Sequence, residues 1–130
     1  MANQTDLSSA QIGQASINVR DVDKAVAFYR DALGLRFLFQ APPKMAFFDC
    51  GGVRLMLAVA EKPEFDHPSS VFYFRVSDIQ AVTETLKSRG VEFETPPHLL
   101  VAMPAYDLWM AFFRDVDGNL LALMSEVPRG

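Results

Sequence analysis

One cysteine, Cys50, stands in a chain of 130 residues, so no internal disulfide can form. Such usage fits a reducing compartment, and a cytoplasmic setting is expected. Cys50 follows Asp49 and has no basic neighbour in sequence to activate it, which suits a structural thiol better than a nucleophile. Runs of Lys and Arg are also missing. With a net charge of −4 and a pI near 5.0, the chain carries no electrostatic footprint for nucleic acid. No apolar stretch reaches the ~18 residues of a membrane span. The opening MANQTDLSSAQ has neither an apolar core nor a basic segment, so no signal peptide is expected. What remains is an ordinary globular balance, 50% hydrophobic and 22% charged. The length suits one domain, 1–130, able to bury a core without a metal or disulfide staple.

The chain repeats itself. Residues 47–59 read FFDCGGVRLMLAV and residues 112–124 read FFRDVDGNLLALM; each is a Phe pair, a glycine-bearing turn and an apolar strand. Upstream of the first, Ala15, Ile17 and Val19 alternate with Gln14, Ser16 and Asn18, the pattern of a half-buried strand. A helix is predicted from an Asp21 N-cap, with Val22, Ala25, Val26, Tyr29, Ala32 and Leu33 at helical spacing and Gly34 ending it. Strands follow near 35–40, 44–50 and 53–59, broken at Pro42-Pro43 and Gly51-Gly52. After a connector at about 61–69 the order recurs: a strand over 71–76, a capping box at Ser77 and Gln80, a helix on Ile79, Val82 and Leu86, and Gly90. Strands near 91–95, 107–114 and 120–125 complete it. Val19-Arg20-Asp21 aligns with Val76-Ser77-Asp78, Gly34 with Gly90, and Gly52 with Gly118. The expected fold is α+β: two βαβββ modules, about 11–60 and about 70–126, forming a curved, trough-like mixed sheet with helices outside. The uniformly apolar strand positions belong under the helices. Gln14, Ser16, Asn18, Val71, Tyr73 and Arg75 then face the trough, where a small ligand would sit.

IGQASINVRDVDKAVAFYRDALGL, FFDCGGVRLML, SVFYFRVSDIQAVTETLKSRGVEF and WMAFFRDVDGNLLALM together resemble the vicinal oxygen chelate superfamily over about residues 11–126. That group includes glyoxalase I, bleomycin-resistance proteins, fosfomycin-resistance enzymes, methylmalonyl-CoA epimerase and extradiol dioxygenases, so the scaffold alone does not name a chemistry. The resemblance implies where metal-using members keep their ligands. A His or Gln stands five residues before the valine of the first V-x-D, here Gln14, a His at the equivalent second-half place, here Val71, and a Glu follows each hairpin turn, here Met56 and Ala122. One amide does not make a divalent site. The expectation is therefore no metal and no cofactor, and a bleomycin-resistance type of binding protein whose partner is a small organic molecule. The resemblance also implies a homodimer. A metal-dependent lyase, isomerase or dioxygenase with ligands such as Gln14, His98 or Glu126 is the alternative. Acid–base work by Tyr73 or His98 without metal is a third reading.

The expected ligand-binding set is Gln14, Ser16, Asn18, Arg54, Tyr73, Arg75, His98, Trp109 and Met124; no catalytic residue is assigned. Arg54 and Arg75 fall on the trough face by alternation and need either a carboxylate partner or an anionic ligand. His98 lies in TPPHLLVAMPAYD, read as a Pro-rich loop poised as a lid. His67, beside Pro68, reads as a surface histidine, and Asp115 and Asp117 as turn residues around Gly118.

Overall fold

The computed structural model describes residues 5–42 and 44–129. Residues 1–4 of the opening segment, and Pro43 of the Pro42-Pro43 break, lie outside the described residues. The first module runs β1 Gln14–Asn18, α1 Val22–Ala27, a π-helical turn Phe28–Ala32, β2 Arg36–Ala41, β3 Met45–Cys50 and β4 Val53–Ala58. The second runs β5 Phe72–Arg75, α2 Ile79–Ser88, β6 Phe93–Ala102, β7 Tyr106–Arg114 and β8 Leu120–Pro128. A short 3₁₀ turn, Pro63–Phe65, lies in the connector. Each module is one four-stranded sheet with the same topology, β1-β4-β3-β2 and β5-β8-β7-β6, the first strand parallel to the last and the rest antiparallel. The α+β fold of two βαβββ modules stands as read from the repeat.

Local chemistry explains the helix ends. Asp21 caps α1 by accepting from the Lys24 amide at 3.1 Å. The second cap falls one residue later than the predicted box: Asp78 accepts from the Ala81 amide at 3.0 Å. An aspartate there satisfies an orphan N–H and adds charge against the helix dipole, and it competes well with a serine one residue earlier. The Ser77 carbonyl instead accepts from the Ser125 hydroxyl. Gly34 takes φ +78°, which an L side chain rarely adopts, and a Cβ there would lie only 3.3 Å from the Arg89 guanidinium. That guanidinium reaches the Ala32 carbonyl at 3.5 Å, so the second module supports the end of the first module's helix.

The two modules share one core. Ile17, Tyr29, Phe48, Leu57, Phe113 and Leu121 are fully buried within it. Each contributes about 1.5–3 kcal/mol relative to exposure. Phe48 anchors the first sheet against Tyr29 and, edge-on, against Phe37, with ring centroids 6.1 and 5.5 Å apart. Polar bonds fix the modules end to end. The Tyr29 hydroxyl donates to Asp115 Oδ2 at 2.7 Å, the Arg20 amide to Asp117 Oδ1 at 3.0 Å, and the Asn119 side-chain amide to the Asn18 carbonyl at 2.9 Å. Asp115 Oδ1 also accepts from the Asp117 and Asn119 amides, so the DVDGN turn is both a hairpin and the joint between modules.

Two expectations change. The Pro-rich segment is a strand: β6 runs through Pro96, Pro97 and His98 to Ala102, and the loop shrinks to the few residues before Tyr106. Proline fits because β6 is the outer strand of its sheet and departs from regular register three times along its length. Trp109 also changes place. It pairs with Leu99 and Ser125 and packs against the core, on the helix-facing side, because it is one residue out of phase with Leu108 and Met110.

Candidate functional site

With one face of each sheet packed under its helix, the other is open, and register tells which side chains stand on it. On the first sheet one row is Ser16, Met56, Phe47 and Phe39, and the row beside it is Gln14, Arg54, Asp49 and Arg36. The Phe39 and Phe47 rings lie 4.8 Å apart, and the Arg54 guanidinium sits 5.8 Å from the Phe47 centroid. Gln14 points its amide nitrogen at the Met56 sulfur, 3.9 Å away.

The connector walls one end of this face. The Asn18 amide nitrogen of the backbone donates to the Ser69 hydroxyl at 2.9 Å, and its side-chain amide donates to the His67 carbonyl at 2.8 Å. Between sheet and connector lies a cleft of about 750 Å³, with Ser16, Asn18, Lys44 and Met56 on one side and His67 and Ser69 on the other. The His67 ring approaches the Pro68 carbonyl through Nδ1 at 3.1 Å, which holds it against the connector.

On the second sheet's open face, Phe112 has Tyr73 edge-on at 6.4 Å and His98 tilted at 6.5 Å. Arg75 stands next along the strand, 3.7 Å from Glu126, with its side chain 72% exposed. Glu126 also holds Tyr106: its hydrogen bond and then its charge push that phenol above the usual tyrosine range. Tyr73 and Arg75, at the β5 edge, border a second cleft of about 740 Å³ between the modules, whose walls are Leu33, Leu35, Val82 and Leu86. Cys50 lines it too, and burial, then the Asp49 charge, pushes its thiol upward, away from the reactive thiolate.

The expected site residues are therefore divided. Ser16 and Asn18 meet in the first cleft; Gln14 and Arg54 are neighbours on the same open face beyond it. Tyr73, Arg75, His98 and Met124 share the open face of the second sheet, where Met124 lies between Arg75 and Met110. A single cavity holding both groups is not what forms, because β1 and β5 are edges of separate sheets. Trp109 belongs to neither face. Lys44, His67 and Ser69 were missed by the sequence reading, since their part in the cleft depends on the path of the connector, which has no periodicity to reveal it.

The four positions where metal-using relatives keep ligands hold poor donors. Gln14 faces a thioether, and Ala122 is fully buried between Tyr73 and Phe112 in register. Among the described residues no three His, Cys, Asp or Glu side chains gather to hold a metal. An amide and a thioether do not fit a divalent ion of the kind these folds take.

Comparison with known proteins agrees with the fold. The model of the Glyoxalase/Bleomycin resistance protein/Dioxygenase superfamily matches residues 11–123. The uncharacterized protein YurT of Bacillus subtilis strain 168 is 30% identical over 128 residues, covering 85% of this chain and 95% of its own. The crystal structure of lactoylglutathione lyase from Agrobacterium tumefaciens superposes with a TM-score of 0.72 at 22% identity, over 89% of this chain and 93% of that one. TioX from Micromonospora sp. ML1 superposes with a TM-score of 0.71 at 20% identity, over 91% and 100%. This chain belongs to the Glyoxalase/Bleomycin resistance protein/Dioxygenase superfamily. Among its described residues no helix is long and apolar enough to cross a membrane.

Proposed function

We propose that this protein is a metal-independent member of the superfamily that binds a small organic molecule on the open face of its first module. The carrying observation is the cleft of about 750 Å³ held in shape by Asn18, which ties the connector to β1 by two hydrogen bonds. Its volume falls in the range of small-molecule sites. Ser16, Asn18, Lys44, Glu61 and His67 place polar groups around an apolar floor at Met56. This composition suits a ligand with carbonyl or carboxylate oxygens on an apolar body. Gln14 and Arg54 extend the site along the same face. Tyr73, Arg75, His98 and Met124 form the complementary face, supplied by the partner in a cytoplasmic homodimer. The lyase activity named for the Agrobacterium protein is not carried over, because Met56 and Ala122 stand where a metal-binding Glu belongs.

The test uses untagged protein. Elemental analysis should find no stoichiometric Zn, Ni, Fe or Mn, and native mass spectrometry should find a co-purified or added organic ligand. Asn18→Ala should weaken its binding at least fivefold, about 1 kcal/mol. A tight metal at near-unit occupancy, removed by chelator with loss of thermal stability, overturns the reading.

A further inference from the structure

The cleft of about 740 Å³ between the modules shares no lining residue with the cleft on the open face. Leu33 and Leu35 from the end of the first helix, Val82 and Leu86 from α2, and Phe74 from β5 wall it. Leu33, Leu35, Phe74 and Val82 are only partly buried against the core, so the modules meet there without closing. Interiors normally pack to leave no such space. Its volume falls in the range of small-molecule sites.

One border of this cleft is a strand edge. The Val76 amide donates to the Met124 carbonyl at 2.8 Å, and the Val76 carbonyl accepts from the Ser125 hydroxyl at 2.7 Å. Alternate residues of β5 therefore turn their backbone groups toward β8. Those of Tyr73 and Arg75 turn the other way, and both residues line the cleft. Among the described residues no strand pairs with that edge. Among the described residues that line the cleft, Arg75 is the only charged one and none is acidic. Its side chain is 72% exposed, and its contact with Glu126 is loose at 3.7 Å.

We propose that this cleft binds an alkyl carboxylate, a molecule with an anionic head and a hydrocarbon tail. The tail lies between α2 and the end of the first helix, displacing water from Leu33, Leu35, Val82 and Leu86. The head stands at the β5 edge, where the Tyr73 and Arg75 amides donate to it and the Arg75 guanidinium supplies the opposite charge. Apolar walls keep the charged head at this border, since nothing deeper would hydrogen-bond it. The site is separate from the open-face cleft and does not depend on what binds there.

Cys50 lines the cleft and is the chain's one cysteine, so its alkylation reports occupancy. With the unaltered protein, saturating decanoate should slow the reaction of Cys50 with iodoacetamide at alkaline pH at least about fivefold. Decanol has the same tail and no charge, and by calorimetry it should bind at least about fivefold more weakly. Arg75→Ala should abolish that preference and leave decanol binding as it was. Val82→Trp, which fills the cleft from the α2 side, should lose both binding and protection. Decanoate that fails to bind, or binds without protecting Cys50, overturns the site. Equal affinity for decanoate and decanol in the wild type overturns the anionic head. Undiminished binding to a folded Val82→Trp protein places the ligand elsewhere and overturns the proposal as well.

Discussion

Removing the Tyr29 hydroxyl should cost far more than one oxygen atom on a surface would. Tyr29 is fully buried, and its hydroxyl donates to Asp115 Oδ2 at 2.7 Å across the joint between the modules. Asp115 is 7% exposed and accepts from three other donors, the amides of Asp117 and Asn119 and the Asn119 side chain. Tyr29→Phe leaves the carboxylate with those three, so the loss is one hydrogen bond to a charged group, about 1.5–2 kcal/mol. For a chain of this size that lowers Tm by roughly 5–8 °C. Asp115→Ala strands the buried phenol as well as the turn amides, and should cost about 3 kcal/mol or more. Because both changes break the same bond, the double variant should cost about 1 kcal/mol less than the sum. Urea and thermal unfolding of the four proteins completes the cycle. Additive losses, or a Tyr29→Phe protein as stable as the wild type, refute the claim that this bond locks the modules together. A pH profile gives a second check. Burial first, then the Asp115 charge, raises the Tyr29 phenol above its ordinary value of 10.0. The unfolded chain therefore loses this proton before the folded one does. The contribution is whole below about pH 10 and shrinks as pH rises beyond it, by up to about 1.4 kcal/mol per unit. Tyr29→Phe should show a shallower alkaline decline, measured as the difference between the two unfolding curves.

Thr83 is 2% exposed on α2, and its hydroxyl finds no partner among the described residues. Thr83→Val keeps the shape, removes that desolvated group and should raise stability by about 1 kcal/mol in urea; a loss of stability shows that the hydroxyl is satisfied. Arg75→Ala should change stability by less than about 0.5 kcal/mol, because its 3.7 Å contact with Glu126 joins an exposed guanidinium to a half-buried carboxylate at a separation beyond a hydrogen bond. If the partner's second module completes the binding face, the same change should weaken ligand binding more than about fivefold, and an unchanged titration by calorimetry removes Arg75 from the site. Phe48→Ala, at the centre of the first sheet's core, should cost about 3–5 kcal/mol, and a smaller loss in chemical unfolding shows that the cavity collapses.

Much of this was written locally. The period-two alternation of Gln14, Ser16 and Asn18 against Ala15 and Ile17 dictated which face of β1 is buried, because a strand cannot turn alternate side chains the same way. The repeated Phe pair, turn and apolar strand announced two equal modules, and Gly34 and Gly90 marked both helix ends at positive φ. Where local signals competed, neighbours decided. Asp78 rather than Ser77 caps α2. The prolines of β6 read as loop until its place at the sheet edge made them acceptable in a strand. Trp109 shows how fine the margin is, since one residue of phase separates the open face from the core. The candidate site was the least local feature of all. Ser16 and Asn18 were legible as polar residues on a strand, but the wall opposite them comes from His67 and Ser69, 51 residues beyond Asn18 in the Ser69 bond. Alternation along one strand encodes direction, whereas a cleft needs distance between strands and connector. That distance arises only when both modules close on their common core and the Asp115 joint sets one beside the other.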